Sequence, residues 1–150
     1  MGDLLQPWHI LVLLFVAGLF LLPAILFVLS MQKALKKCDP ASVTLDPAML
    51  WLCIVPFANL VFNFFLVLGM AKSLRNEFNR RGIFVADPTP GQSIGLAMSI
   101  CACCDIVPIV NLAAWIAQLI LWIAYWIKMA GYSRILDLNP PQITATETGV

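Results

Sequence analysis

Charged residues are scarce in this chain. Asp, Glu, Lys and Arg make up 11% of its 150 residues, whereas hydrophobic residues make up 61%. Soluble domains average about 25% charged residues, so this composition is typical of a membrane protein. The net charge of +1 gives no reason to expect a nucleic acid or an acidic substrate as a partner.

The groups that most catalytic sites need are also scarce. His9 is the only histidine, and it lies far from every other candidate residue in the sequence. There is no nucleophile–histidine pair, no carboxylate pair within an apolar segment and no glycine-rich phosphate loop. We therefore expect a non-catalytic protein with no cofactor.

The spacing of the cysteines gives only a weak indication of a metal site. Three of the five cysteines lie in the stretch CACC, at Cys101, Cys103 and Cys104. Thiolates suit Cu(I), but no histidine lies nearby and no second pair of cysteines matches the first. Packing as small apolar side chains is the favoured interpretation. A thiol–metal site is the alternative.

Lysine and arginine are missing from the first 32 residues. No small-x-small cleavage site follows the first apolar run, so we interpret this run as a retained helix and not as a cleaved signal peptide. Residues 8–30 contain no charged side chain. As a helix they extend about 34 Å, which is enough to cross a bilayer with some tilt.

The remaining apolar runs are divided by prolines. Asp46 followed by Pro47 predicts a helix start, and the helix over 47–55 is only about 13 Å long. Three further runs, 59–71, 91–107 and 111–127, are apolar. The amphipathic segment 72–81 should extend the second run into water as far as Gly82.

A short motif occurs twice, as IVPFANL at 54–60 and IVPIVNL at 106–112. A single helix over 92–136 would be about 67 Å long, more than twice the hydrocarbon thickness, so the chain must turn back near Pro108. By the repeat, we infer a second turn at Pro56. Proline leaves backbone groups without partners, and the Asn side chain three residues later can bond to some of them.

Two topologies remain open. If both motifs are turns, all nine basic residues lie on the cytoplasmic side and the N-terminus lies outside. The segment 47–55 is then a re-entrant, half-membrane helix. If Pro56 is only a kink, 47–81 is one long helix, and Lys33, Lys36 and Lys37 lie outside. The first topology obeys the positive-inside rule and is favoured.

Over roughly 31–136 the chain follows the patterns P-x-x-x-W-L-x-x-I-P, with Ile54 one position early and Val55 before the Pro, and S-L-x-x-E-F-x-x-R-G, with a closing element of the type LWIAYWIKMAGYSRIL. In these motifs the chain resembles a widespread group of small bacterial inner-membrane proteins of unknown function. The resemblance implies a multi-pass protein of the bacterial inner membrane and no assigned activity. The matching residues are Pro47, Trp51, Leu52, Ile54, Pro56, Ser73, Leu74, Glu77, Phe78, Arg81, Gly82, Trp122, Tyr125, Trp126, Lys128 and Tyr132.

Five polar residues interrupt the apolar runs. Asn59 and Asn63 share one helix face, and Asn111 and Gln118 share another. Polar groups in lipid face other helices or a cavity, so these four amides are candidates for interhelix bonds or for a solute path. Asp105 is the one carboxylate in an apolar run, and we expect it to cap the last helix. A proton or ion role is the alternative.

Small residues recur every four positions on the third run, at Gly91, Gly95, Ser99 and Cys103. Such a face lets helix backbones approach closely in lipid. Packing inside the protein is the favoured interpretation of this face, and contact with another subunit is the alternative.

The sequence therefore predicts an all-α integral membrane protein with about four transmembrane helices and a short re-entrant helix. Residues 1–136 form the helical domain, and 137–150 form a polar tail that we expect to be disordered. The function that fits best is a non-catalytic subunit or accessory of a larger membrane assembly. A small homo-oligomeric channel or carrier is the alternative. Anionic headgroups are expected near Lys72, Arg75, Arg80 and Arg81.

Overall fold

The computed structural model describes residues 6–105 and 108–141 of the chain. In these ranges the chain is helical and contains no strand, as the sequence predicts. The elements are α1 (Pro7–Lys36), a 3₁₀ helix (Pro47–Ile54), α2 (Pro56–Arg80), α3 (Gln92–Cys104) and α4 (Asn111–Leu138). The predicted tail begins too early, because α4 includes Asp137 and Leu138. The rest of that prediction, over 142–150, lies outside the described residues.

Two of the described helices, α1 and α4, are long and apolar enough to cross a membrane by length and composition. Only 6% of the most apolar window of α1 is buried within the protein, and 17% of that of α4. The core helix of a soluble protein would be mostly buried. The two helices are thus suited to an apolar environment outside the protein.

The helix start at Asp46 is confirmed. The Asp46 side chain accepts a hydrogen bond of 2.8 Å from the backbone N–H of Ala48, and Pro47 occupies the first helical position. The helix that follows is 3₁₀ and not α. Because a 3₁₀ helix rises about 2 Å per residue, its eight residues extend about 16 Å where an α-helix would extend about 12 Å.

The chain reverses direction between the 3₁₀ helix and α2. The backbone N–H of Thr44 donates to Ser73 Oγ at 2.9 Å, and Asn76 Nδ2 donates to Ser42 O at 3.3 Å. Residues just before the 3₁₀ helix therefore contact the far end of α2, so the two elements are antiparallel. A single kinked helix over 47–81 is wrong, because its ends would lie far apart.

A second reversal joins α3 to α4. Asn111 Nδ2 donates to the carbonyl oxygen of Asp105 and closes this corner, as expected for an Asn three residues after Pro108. The two corners differ in detail. Pro56 is the first residue of α2, whereas Pro108 lies in the turn three residues before α4 begins. The expected cap of α4 by Asp105 is wrong: its N-cap is Val110, and no side chain caps it.

Helices α1 and α4 run parallel with a constant offset. Trp126 Nε1 donates to Ser30 Oγ at 3.0 Å, and Lys37 Nζ donates to Ser133 Oγ at 2.7 Å, and each pair is 96 residues apart. The C-terminal ends of α1, α2 and α4 consequently lie together. We call this region, which includes the loops 37–46 and 81–91, the charged end.

Candidate functional site

The charged end is organised around one buried carboxylate. The side chain of Glu77 has no exposed surface. It accepts hydrogen bonds from Arg80 Nη2 at 2.8 Å, from Arg81 Nε at 2.6 Å and from the backbone N–H of Asp39 at 2.9 Å. Glu77 and Arg81 are four positions apart on one face of α2, which is a spacing that favours such an ion pair.

Arg81 links three helix ends. Its Nη1 donates to the carbonyl oxygens of Leu136 at 3.0 Å and Asn139 at 2.6 Å, and its Nη2 donates to that of Lys37 at 2.6 Å. Carbonyl groups at helix C-termini have no partners within their helix, and a guanidinium has five N–H groups to offer them. Segment 72–81 thus does not protrude freely into water, because Arg81 fixes it to α1 and α4.

Burial alone would raise the pKa of Glu77. Hydrogen bonds from Arg80 and the other neighbours outweigh burial and lower this pKa to about 2. Glu77 thus stays ionised at every physiological pH. A carboxylate held in this way has the character of a structural centre and not of a proton-transferring acid.

A second carboxylate, Asp87, fixes the loop between α2 and α3. Its Oδ2 accepts hydrogen bonds from Lys128 Nζ at 2.7 Å, from Tyr132 Oη at 3.1 Å and from the backbone N–H of Gly91 at 3.1 Å. Burial opposes the charge on Asp87, but the bonds from Lys128 and Gly91 lower its pKa to about 2. The sequence signal was only a lone acid in a turn, so this contact was missed.

The basic residues that were expected at lipid headgroups have two different environments. Lys72 and Arg75 are exposed. The side chain of Arg81 is only 6% exposed, and that of Arg80 is paired with Glu77 and Asp39. Headgroup binding therefore remains a prediction for Lys72 and Arg75, while Arg81 is occupied inside the protein.

An apolar cavity of about 350 Å³ lies at the other end of the bundle. Asn59 and Asn63 of α2 and Gln118 of α4 line it, so three of the four predicted amides meet at one site, which we call the amide cavity. Asn111 does not line it and serves the α3–α4 corner instead. The other lining residues are Leu19, Pro23, Ala24, Phe27, Val28, Cys53, Ile54, Met98, Trp115, Leu119 and Trp122.

No side-chain hydrogen bond joins the three amides of the cavity to one another within the described part of the chain. For Gln118 the Oε1 atom is also buried without a partner among the described residues. A buried polar group without a partner costs about 1–3 kcal/mol. Interhelix bonding of these amides, the other sequence interpretation, is therefore not what the described residues show.

Asp105 lies outside the amide cavity. Its Oδ1 is buried and has no hydrogen-bond partner among the described residues. Ile106 and Val107, which follow it directly, lie outside the described residues. Asp105 therefore carries no assigned role here.

The small-residue face of α3 packs inside the bundle. A Cβ atom at Gly95 would lie 2.5 Å from a methyl group of Val67 and 3.0 Å from the ring of Tyr125. Gly91 has φ +73 and lies against Met129, and Ser99 is fully buried. These three residues therefore bring α3 close to α2 and α4, whereas Cys103 is partly exposed.

The cysteines form no metal cluster in residues 6–105 and 108–141, where no group of three His, Cys, Asp or Glu side chains could hold an ion. Cys101, Cys103 and Cys104 are all partly exposed. Cys53 is the cysteine with a distinctive place, because it lines the amide cavity from the 3₁₀ helix.

The sequence pattern did not predict that Cys53, Trp115 and Trp122 line the cavity together with the amides. Periodicity shows which residues share a face of one helix, but it does not show how that face is turned toward other helices. No protein-family model, curated protein or solved structure matches this chain, so its function must be argued from this geometry.

Proposed function

We propose that this chain is a non-catalytic integral membrane protein of the bacterial inner membrane, and that it acts as a subunit or accessory of a larger membrane assembly. The N-terminus lies on the outer side of this membrane, and the charged end lies on its cytoplasmic side. The observation that carries the proposal is the unpacked N-terminal half of α1, over 8–22.

Most of this half of α1 lies beyond or beside the bundle, although Leu19 lines the amide cavity. With the offset of 96 residues, position 15 of α1 corresponds to Asn111, the first residue of α4. The preceding turns of α1 therefore extend past α4. Its large apolar side chains are exposed, with Leu13 and Phe15 both at 71%.

Gly18 offers a contact point within this half. A Cβ atom built there would meet nothing within 4 Å, so the surface above Gly18 is open. Leu14 and Leu22 lie one turn before and after it on the same face. In lipid, helices associate where a small residue lets backbones approach closely, so this face suits a transmembrane helix of another protein.

The test uses photo-crosslinking amino acids in cells. A crosslinker at Leu14 should capture one membrane protein in fixed stoichiometry, and a crosslinker at Val16, on the opposite face, should not. Gly18→Leu should abolish this product. Gly131→Leu, at another glycine with open space around it, should leave it unchanged.

Two results would contradict the accessory role. One is crosslinking of Leu14 to lipid alone. The other is crosslinking to a second copy of the chain, which would support the homo-oligomeric alternative.

A second candidate function is a small carrier, and the amide cavity favours it. Sites in transporters are often formed where helices are broken, and Pro56 starts α2 within such a break. The amides converge within one chain, so a carrier would not need an oligomer axis. Uptake of uncharged solutes into vesicles should then fall with Asn63→Leu, and unchanged uptake would exclude this candidate.

A further inference from the structure

The amide cavity has the chemistry of a ligand site. Three amides line it, one of them with a buried oxygen that has no hydrogen-bond partner among the described residues, and every other described lining residue is apolar. Buried polar groups in native proteins nearly always have a hydrogen-bond partner. Gln118 lines the cavity, and its Oε1 is buried without a hydrogen-bond partner among the described residues.

The lining excludes a charged occupant. No Asp, Glu, Lys, Arg or His of residues 6–105 and 108–141 lines the cavity. Burying an unpaired charge in such surroundings costs far more than burying a hydroxyl or a carbonyl group. A phosphate-bearing or ammonium-bearing head is therefore disfavoured, and an uncharged polar head is favoured.

The occupant reaches the cavity from the bilayer. Leu19, Trp115 and Leu119 line the cavity and are themselves 61%, 47% and 41% exposed. They belong to α1 and α4, the two helices suited to cross a membrane. The opening thus lies on an apolar surface that faces lipid in the proposed topology.

The depth of the site fits a lipid with a weakly polar head. Pro23 lines the cavity ten residues before Lys33, which is about 15 Å along α1. This distance is half of the roughly 30 Å hydrocarbon thickness. Uncharged lipids reach this depth at far lower cost than phospholipid heads do.

We propose that the amide cavity binds the head of an uncharged, membrane-dissolved lipid that carries hydroxyl oxygens, as diacylglycerols and quinols do. The amides of Asn59 and Asn63 and that of Gln118 donate to and accept from these oxygens. Phe27, Trp115 and Trp122 pack around the head. A volume of about 350 Å³ lies at the lower end for ligand pockets and holds the head alone, while the tails lie along α1 and α4.

The proposed lipid site depends on the residues of the amide cavity alone. It is independent of a partner at Gly18, and binding without transport would leave it intact. Failure of the crosslink at Leu14 therefore removes the accessory role and not the lipid site.

The experiment uses the full chain in phosphatidylcholine nanodiscs, labelled with a diazirine analogue of diacylglycerol. We expect labelled peptides from the cavity, competition by unlabelled diacylglycerol or by a quinol, and no competition by added phosphatidic acid. Competition by only one of the two uncharged lipids identifies the source of the ligand. Equal competition by phosphatidic acid overturns the proposal.

Gln118→Leu should weaken labelling about tenfold, which corresponds to the loss of roughly one hydrogen bond. Asn79→Leu, which removes an exposed amide at the charged end, should leave labelling unchanged. Because Gln118→Leu also removes an unpartnered buried amide, its melting temperature without ligand should not fall. Undiminished labelling of a folded Gln118→Leu protein overturns the proposal.

A second measurement does not depend on any variant. Native mass spectrometry of the gently purified wild-type chain should show one bound uncharged lipid per chain. Wild-type protein that carries only phospholipid, and that exchanges it freely, contradicts the inference.

Discussion

The carboxylate of Glu77 is fully buried beside two arginines. Glu77→Gln should destabilise the protein by about 3–5 kcal/mol, because it leaves the guanidinium of Arg81, only 6% exposed, without its counter-charge. The measurement is thermal unfolding in detergent. The control is Asp137→Asn, which breaks an ion pair of Lys37 at a side chain that is 57% exposed, and it should cost less than about 1 kcal/mol. Equal losses in the two variants would show that Glu77 is not the centre of the charged end.

The same residue predicts a pH dependence. The pKa of Glu77 is about 2 in the folded protein and 4.5 ordinarily. A lowered carboxyl pKa stabilises the fold fully above the ordinary pKa, and this stabilisation, on the order of 3 kcal/mol, is lost as the pH falls from about 4.5 to about 2. Melting temperatures measured through this window should fall for the wild type. Glu77→Gln should lose less across it, and parallel curves would contradict the assignment.

Some contacts of single residues could be predicted from the sequence, and others could not. The cap at Asp46 and the pair of Glu77 with Arg81 depend on neighbours within four positions, and both were predictable. The contact of Asp87 with Lys128 joins residues 41 positions apart. Such a contact depends on where a loop passes over a helix, which a local pattern does not contain.

At the scale of helices, α3 is held by close approach of its backbone to α2 and α4. Gly95→Ala should lower the melting temperature, because its Cβ would lie 2.5 Å from Val67, a stiff branched side chain in the core. Overpacking of this kind costs about 1–3 kcal/mol. Gly131→Ala on α4 meets no atom and should be neutral or slightly stabilising. Equal melting temperatures of the two variants would mean that α3 moves freely to accept the methyl group.

The helix start at Pro47, the two corners and the end of α2 near Gly82 were predictable because proline, glycine and capping residues act locally. The 3₁₀ geometry of Pro47–Ile54 was not, since its residue types suit an α-helix equally well. The place of Asn59 and Gln118 in one cavity was not predictable either, because it depends on the rotation of α2 and α4 about their own axes. The candidate site was thus predictable as a set of residues and not as a cavity.

At the scale of the whole molecule, the contacts of Arg81 with Lys37 and Leu136 bring three basic clusters to one end. The clusters are Lys33, Lys36 and Lys37, then Lys72, Arg75, Arg80 and Arg81, and then Lys128 and Arg134. If this end is cytoplasmic, the positive-inside rule is obeyed by every lysine and arginine. Single cysteines in a protein without native cysteines test this topology on intact cells, with a thiol reagent that does not cross the membrane. Cysteines replacing Lys36, Asn79 and Arg134, which are all exposed, should be protected.

The matching exposed position at the other end is Ile109, whose side chain is 95% exposed beside the α3–α4 corner. Ile109→Cys should react on intact cells, and all four positions should react after the cells are opened. Labelling of Lys36→Cys but not of Asn79→Cys on intact cells would place the two basic clusters on opposite sides. Because the fold joins those clusters through Arg81, that result would overturn the arrangement of the helices as well as their orientation in the membrane.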